Sequence, residues 1–232
     1  MARTDLVPVA ALRLLLQRGF DTTSVDDLAA AAGLSRSTFF RRFHSKEGMV
    51  FADQEERLAA ASLALKVHAD DGPHALIPAA LSVFDHHTAH PDLAEVRWDL
   101  LHEVPALRDR ELVTTHRFER LFRDFLLNDS PVPEGLGPHA RGPIPDSTRT
   151  WAVGLAASTV AVHNDHLRAW TREPDDAVRG ALKAALTDVI NRSLPSPAAE
   201  APVVVVVAGS GDPAEVGSQV EQALRAHGGG RA

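Results

Sequence analysis

Two short helices joined by a tight turn are encoded in residues 24–43, SVDDLAAAAGLSRSTFFRRF. Ser24 and Ser35 each precede a helical run directly, and serine is a preferred N-cap residue because its hydroxyl accepts a hydrogen bond from a free backbone N–H of the first turn. Gly33 ends the first run, since glycine adopts the backbone conformations that close a helix. This order of caps and breaker is typical of a helix-turn-helix. The predicted elements are a helix over 25–32, a turn at 33–34 and a helix over 36–43.

The second of these helices presents two different faces. Phe39 and Phe43 lie one turn apart and are predicted to face the core, whereas Phe40 and Arg36 point elsewhere. A helix of this size fits the DNA major groove, where arginine donates two hydrogen bonds to guanine and phenylalanine contacts the thymine methyl group. Neighbouring hydroxyl and cationic side chains would contact phosphates and fix the register. The DNA-binding residues predicted from these chemical types are Thr22, Thr23, Arg36, Ser37, Phe40, Arg41, Arg42, His44 and Lys46.

The charge distribution agrees with a local DNA contact. The chain of 232 residues has a net charge of −7, which argues against a protein that coats nucleic acid without regard to sequence. Residues 1–50, however, carry seven Lys/Arg against five acidic residues. The alternative is that Phe40 also lies in the core and the arginines form a solvated face. Two capped helices around a glycine turn are a specific arrangement, and they favour the groove interpretation.

Helical periodicity continues to about residue 194, and residues 203–227 then suggest one strand, a glycine turn and a helix. Further helices are predicted over 9–16, 46–69, 74–89, 92–103, 106–127, 147–171 and 175–194, with a long Pro/Gly-rich loop at 129–146. The predicted fold class is all-α, with a three-helix helix-turn-helix domain at the N-terminus, a larger helical domain, and a short C-terminal strand-helix extension. The predicted bounds are 1–45 and 46–194 for the two domains, 195–202 for a linker and 203–227 for the extension.

Residues 18–50, RGFDTTSVDDLAAAAGLSRSTFFRRFHSKEGMV, resemble the DNA-binding domain of the TetR family of transcriptional regulators. The resemblance implies an all-helical homodimer whose N-terminal domains read a palindromic operator and whose larger domain binds a small effector. Phe40 stands where the family often has tyrosine, so a phosphate-directed hydroxyl is absent there. The positions that match the DNA-contacting positions of the family are Thr23, Arg36, Ser37, Thr38, Phe40, Arg42, His44 and Lys46.

A second stretch, residues 96–126 with 166–173, is similar to the branch of this family that has an acyl-CoA-like ligand-binding domain, which includes regulators associated with mycofactocin gene clusters. This similarity places an acyl-CoA-like anion among the candidate effectors. By pattern alone, the last two helices are only apolar core helices. Because of the family resemblance, we expect them to form an intersubunit four-helix bundle. The expected dimer-interface residues are Trp151, Leu155, Ser158, Val162, Val178, Leu182, Ala185, Leu186 and Val189.

Polar residues on apolar helical stripes are the candidates for effector contacts. Arg97 lies on such a stripe, and a buried charge needs a partner, which is either an anionic ligand or an internal acid such as Glu119 or Asp165. The same alternative holds for Arg117. His163 is either a ligand contact or a core histidine that is satisfied within the protein. The predicted effector-binding residues are Arg97, Arg117, Phe118, Phe122, His163 and Asn164.

Other classes of function find little support in the sequence. There are no cysteines, the 12 histidines form no H-E-x-x-H string, and no nucleophile elbow or Walker loop occurs, so no metal, cofactor or enzymatic activity is expected. No signal peptide or membrane-spanning run is apparent, which predicts a cytoplasmic protein without a membrane partner. The leading hypothesis is an effector-released repressor. An activator, an enzyme in the helical domain and a protein-binding adaptor acting through the C-terminal extension are the alternatives.

Overall fold

A computed structural model describes residues 7–131, 133, 136 and 143–194 of the chain. These residues form ten α-helices and no strand, which confirms the all-α prediction for this part of the protein. The predicted linker, the strand-helix extension and part of the predicted loop lie outside the described residues. The helices are α1 Val9–Arg18, α2 Val25–Ala31, α3 Arg36–Phe43, α4 Lys46–Val50, α5 Gln54–Val67, α6 Leu76–Thr88, α7 Pro91–Glu103, α8 Pro105–Asn128, α9 Asp146–Arg172 and α10 Ala177–Ser193, with a 3-10 helix over Ala69–Ala75.

The predicted caps set the bounds of α2 and α3. The Ser24 hydroxyl accepts a hydrogen bond from the Asp27 amide at 3.1 Å, and the Ser35 hydroxyl accepts one from the Thr38 amide at 3.2 Å. Gly33 has a φ of +67°, a left-handed value that glycine adopts without steric cost. Local hydrogen bonding and one glycine therefore fix the turn between the two helices.

Helix α4 begins directly against the end of α3. Its N-cap Ser45 accepts a hydrogen bond from the Gly48 amide at 3.0 Å. A Cβ atom at Gly48 would lie 2.0 Å from the Phe43 carbonyl oxygen, so this position requires glycine. The two helices are therefore in backbone contact through Gly48.

The predicted single helix over 46–69 is wrong, because the chain leaves the helix between Val50 and Gln54. Phe51 turns inward and is buried in the N-terminal core, and the buried Asp53 begins α5 as its N-cap residue. The break leaves the Val50 carbonyl without a partner in the helix, and the Arg97 Nε donates a hydrogen bond to it at 3.1 Å. A tertiary contact from α7 thus stabilises the interruption.

Two hydrophobic clusters organise the described residues. The N-terminal cluster joins α1 to α4 with apolar side chains of α7 and the start of α8, including Leu100 and Leu107. The larger cluster joins α5, α6, α8, α9 and α10 around side chains such as Phe84, Phe122 and Leu186. None of the described helices is both long and apolar enough to cross a membrane. Helix α7 therefore packs against the N-terminal helices and also contributes a side chain, Ala94, to the larger cluster.

Candidate nucleic-acid interface and internal cavity

The three phenylalanines of α3 lie on two different faces of the helix, as their spacing predicts. Phe39 and Phe43 are 0% and 2% exposed, whereas Phe40 is 39% exposed. The buried pair packs edge to face with ring centroids 5.2 Å apart, which fixes the rotation of α3 about its axis. The guanidinium of Arg36 lies 5.3 Å from the centre of the Phe40 ring and donates to an Asp26 carboxylate oxygen at 2.8 Å. An aromatic ring and a cation therefore project together from the outer face of α3.

The rest of the outer face of α3 is polar and cationic. The Arg42 guanidinium lies 5.1 Å from the Phe43 ring centroid. Thr38 is half-buried, and its hydroxyl is 2.9 Å from that of Ser35. The predicted contact residues that are exposed are Thr22, Arg36, Ser37, Phe40, Arg41, Arg42 and His44.

Thr23 and Lys46 lie beneath this surface and stabilise it. Thr23 is 2% exposed, and its hydroxyl donates to the Gly19 carbonyl at 2.7 Å. The Lys46 ammonium donates to the Phe20 carbonyl and, at 3.3 Å, to the Thr23 carbonyl. In this conformation the Thr23 hydroxyl is directed at the Gly19 carbonyl, and its predicted phosphate contact stays a prediction. Both residues hold the connection between α1 and α2 in place.

An internal cavity lies between α5, α6, α7, α8 and α9. Its inner chamber, with a volume of about 80 Å³, is bordered by Arg57, Val83, Phe118 and His163 among others. An adjoining outer chamber of about 250 Å³ is lined by Trp98 and by side chains of α7, α8 and α9. The residues that line both chambers are His87, Arg97, Leu101, Glu111, Asn164 and Leu167.

A buried charge network forms one wall of the cavity. The Asp53 carboxylate accepts a hydrogen bond from Arg97 at 2.8 Å and lies 3.5 Å from an Arg57 nitrogen and 3.2 Å from His86 Nε2. Burial opposes ionisation of Asp53, but the charges of Arg97 and Arg57 and the hydrogen bond from His86 outweigh it and hold the pKa of Asp53 well below its usual range. Asp53 is therefore a buried anion shared by two arginines.

The two histidines that line the inner chamber, His87 and His163, are neutral. Burial lowers the pKa of His163 to about 4. Burial and the nearby Arg57 hold the pKa of His87 well below its usual range, so its Nε2 accepts the Arg57 hydrogen bond at 2.9 Å. Burial also lowers the pKa of Arg57 to about 10, which leaves it cationic at neutral pH. Within the described part of the chain, Arg57 Nε and His163 Nε2 are buried without a hydrogen-bond partner.

The predicted effector residues separate into two groups. Arg97, Phe118, His163 and Asn164 line the cavity, as the polar interruptions of apolar stripes predict. The suggested partners Glu119 and Asp165 are not those of Arg97, since Asp53 is paired with it. The two predicted residues that lie elsewhere are Arg117, which is paired with Glu55, and Phe122, which packs in the larger core.

Three ionisable residues of the inner chamber are missing from the predicted effector-binding residues, namely Arg57, His87 and Glu111. Arg57 follows Asp53 by four positions, a spacing that brings two side chains together on a helix. That spacing was a usable signal, but it is also common among solvated ion pairs. Burial is what distinguishes this pair, and it depends on the packing of α6 and α7 against α5.

The expected dimer residues differ in their exposure within one protomer, and their place in an interface stays a prediction. Leu155, Leu182 and Leu186 are at most 2% exposed, because they pack in the protomer's own core. Trp151 is half-buried, and its indole N–H donates to the Ser193 carbonyl at 2.9 Å. Ser158 is exposed, while the remaining expected residues are half-buried, namely Val162, Val178, Ala185 and Val189.

Several small residues are exposed on α9 and α10. The exposed apolar side chain of Val153 on α9 is 48% accessible. Added Cβ atoms at Gly154 and Gly180 would meet nothing within 4 Å inside the protomer. The exposed small residues are Gly154, Ala157, Ser158 and Ala161 on α9, and Gly180, Ala181 and Ala184 on α10.

Comparison with known proteins gives a consistent picture for the N-terminal helices. Residues 9–52 match the family model of bacterial regulatory proteins of the TetR family. Over 49 residues, the chain is 43% identical to a Mycobacterium tuberculosis protein named as a mycofactocin biosynthesis transcriptional regulator, MftR. That match covers 21% of this chain and 25% of the relative, so the chain spans about a quarter of the length of the relative it matches.

Solved structures resemble a larger part of the chain. A TetR-family transcriptional regulator from Rhodococcus sp. superimposes with a TM-score of 0.52 at 18% identity, and covers 80% of this chain and 97% of its own. The regulator PfmR from Thermus thermophilus gives a TM-score of 0.46 at 16% identity over 79% of this chain and 96% of its own. The match to the Rhodococcus structure shows that the chain shares the fold of that regulator beyond residue 52 as well.

Proposed function

The chain belongs to the TetR family of transcriptional regulators, and we propose that it binds a palindromic DNA operator as a cytoplasmic homodimer and leaves that operator when a small-molecule effector binds. One observation carries the DNA-binding part of this proposal: the outer face of α3 presents Phe40 beside the cation of Arg36 while Phe39 is fully buried. A helix held in this rotation offers a thymine-methyl contact and a bidentate guanine contact to one groove.

Dimerisation supplies the second recognition helix. The small residues on the exposed face of α9 and α10 allow close approach of a second copy, as in four-helix interfaces. In an isologous dimer the two α3 helices are related by a two-fold axis, which matches the symmetry of a palindrome. Half-sites read by such a pair are spaced by one helical turn, ~34–36 Å, or a multiple of it.

Effector release requires a connection between the cavity and the DNA-binding helices. Arg97 provides one, because it lines the cavity and donates to the carbonyl of Val50, the last residue of α4. A ligand that moves this guanidinium alters the support of α4, which is in backbone contact with α3 through Gly48. A coupling free energy of ~1–3 kcal/mol is sufficient to shift operator occupancy appreciably.

The test is a selection of bound duplexes from random DNA with the full-length protein. We expect enrichment of one palindromic sequence, bound in fluorescence anisotropy far more tightly than a scrambled duplex, with affinity that falls linearly in log salt. Equal binding of the selected and scrambled duplexes would contradict sequence-specific regulation. Repression is tested separately, with a reporter gene placed behind the selected operator, since an activator would raise expression from it.

A further inference from the structure

We propose that the cavity binds a small organic carboxylate whose head group enters the inner chamber and is held by the Arg57 guanidinium, while its apolar part occupies the outer chamber against Trp98 and Leu167. The proposal rests on the proposed function, because it names the chemical class of the effector. It also specifies an orientation, with the anion inside and the apolar part toward the mouth.

The first argument is the balance of buried charge. Arg57 and Arg97 are each 5% exposed, and Asp53 is the one carboxylate hydrogen-bonded to them in the described structure. His87 is neutral and contributes no charge. The buried groups Arg57, Arg97 and Asp53 therefore carry one positive charge in excess, and a buried charge without a counterion is costly.

The second argument is geometric. Arg57 uses one terminal nitrogen for His87, at 2.9 Å, and the other for Asp53, at 3.5 Å. Its Nε–H is buried and has no acceptor among the described residues. An unmade hydrogen bond from a buried charged donor costs more than one from a neutral donor, and a carboxylate oxygen satisfies it with a charge-assisted bond.

The third argument concerns competing anions and cations. Glu111 lines both chambers and acts on Arg57 through space, but it is exposed and makes no hydrogen bond to Arg57. Arg108 and Arg168 line the outer chamber and are exposed, so water already solvates them. The buried Arg57 therefore gains more from an anion than the arginines at the mouth do.

The volume and the lining of the two chambers indicate the size and the chemical character of the ligand. Each chamber, of about 80 and 250 Å³, is smaller than the ~300–1,000 Å³ that is usual for ligand pockets, and only the two together reach the lower end of that range. The outer chamber offers the indole of Trp98 and the side chains of Ala94, Leu101 and Leu167. A carboxylate with a short aromatic or aliphatic body fits both the volume and the surface.

The first experiment uses matched probes on the wild-type protein. Benzoate, benzamide and benzamidinium share one shape and differ in charge, and octanoate with octanamide tests an aliphatic body. Isothermal titration should show the carboxylates binding at least tenfold more tightly than the amides, and benzamidinium not binding. Amides that bind as tightly as the carboxylates, or the absence of carboxylate binding up to millimolar concentration, would overturn the proposal.

The second experiment assigns the head-group contact. Arg57→Gln should lower carboxylate affinity at least tenfold and leave amide affinity unchanged, whereas Arg123→Gln, at a half-buried arginine paired with Asp124, should change neither. If Arg57→Gln does not fold, a wild-type crystal structure with 4-bromobenzoate decides, because the anomalous bromine signal fixes the orientation. A carboxylate oxygen within hydrogen-bond distance of Arg57 Nε supports the proposal, and a head group turned toward Arg108 overturns it.

Operator binding is measured without any carboxylate, which separates the two proposals. Carboxylate binding at Arg57 by a chain that selects no DNA sequence would contradict the regulatory function alone. Sequence-specific DNA binding by a chain that ignores all carboxylates would contradict the ligand class alone.

Discussion

Arg97 on α7 lies 2.8 Å from the carboxylate of Asp53, a residue 44 positions earlier in the chain, at the junction of α4 and α5. The same guanidinium donates to the Val50 carbonyl at 3.1 Å. One side chain thus joins the cavity wall, the break after α4 and the start of α5. The predictions that follow test this network and the surfaces on either side of it.

Asp53→Asn should destabilise the protein by about 3–5 kcal/mol, because it leaves two buried guanidiniums without their counterion. Chemical denaturation monitored by circular dichroism measures this free energy of unfolding. Glu55→Gln is the matched control, since it removes an exposed carboxylate two residues away that is paired with Arg117. That variant should lose less than about 1 kcal/mol. Similar losses for the two variants would show that burial does not set the strength of the Asp53 network.

Arg36→Ala should lower affinity for the selected operator by ~1–3 kcal/mol and relax base preference at one position, because a bidentate base contact is lost. The measurement is fluorescence anisotropy on operators mutated at single base pairs. Arg123→Ala removes a half-buried arginine on α8 and should leave both quantities unchanged. A loss for Arg36→Ala that is the same on every duplex would instead assign Arg36 to the phosphate backbone.

Stability should fall as the pH is lowered from about 6.5 toward 4. The pKa of His163 is lowered to about 4 by burial, whereas in the unfolded chain it has its ordinary value, so the unfolded state takes up the proton first. The contribution of neutral His163 to the free energy of unfolding is fully retained above pH 6.5. Between pH 7 and pH 5 the free energy of unfolding should fall by an amount on the order of 2 kcal/mol. The pKa of His87 is shifted in the same direction and adds to the loss.

Urea denaturation at pH 7, 6 and 5 checks this pH dependence. His163→Asn should show a shallower decline than the wild type, because the substituted side chain does not titrate. His116→Asn, which removes an exposed imidazole on α8, should retain the wild-type slope. Parallel declines for His163→Asn and the wild type would refute the assignment to His163.

Gly180→Arg should dissociate the dimer without unfolding the protomer. An added Cβ at Gly180 meets nothing within 4 Å in the protomer, so the larger side chain is accommodated there, while a charge on the small-residue face blocks a second copy. Light scattering after size exclusion at micromolar concentration gives the oligomeric state. Leu63→Arg, at a residue that is 63% exposed on α5, should remain dimeric. A dimeric Gly180→Arg variant would place the interface on another face.

Local chemistry predicted the N-terminal helices because their bounds depend on local contacts. Ser24 and Ser35 bond to amides three residues away, and Gly33 supplies the left-handed turn between them. The same reasoning joined α4 and α5 into one helix, since the break depends on Phe51 entering the core and on Arg97 arriving from α7. Neither contact is visible in a local pattern.

The periodicity of α9 and α10 identified apolar stripes correctly but could not say against which molecule they pack. Leu182 and Leu186 face the protomer's own core, and the exposed face carries small residues such as Gly180 and Ala181 instead. For the cavity, the rule that a polar residue interrupts an apolar stripe found Arg97 and His163. It did not find Arg57, because burial of that guanidinium depends on neighbouring helices.

The close approach at Gly48 bears on how the proposed effector could change operator affinity. Because the Phe43 carbonyl occupies the space that a Cβ at Gly48 would need, α3 and α4 are in backbone contact, and we expect them to shift together. In the proposed dimer, such a joint shift would change the distance between the two copies of α3. We therefore expect that a mutation that alters this joint shift can change the preferred spacing of the two half-sites while each half-site keeps its contacts.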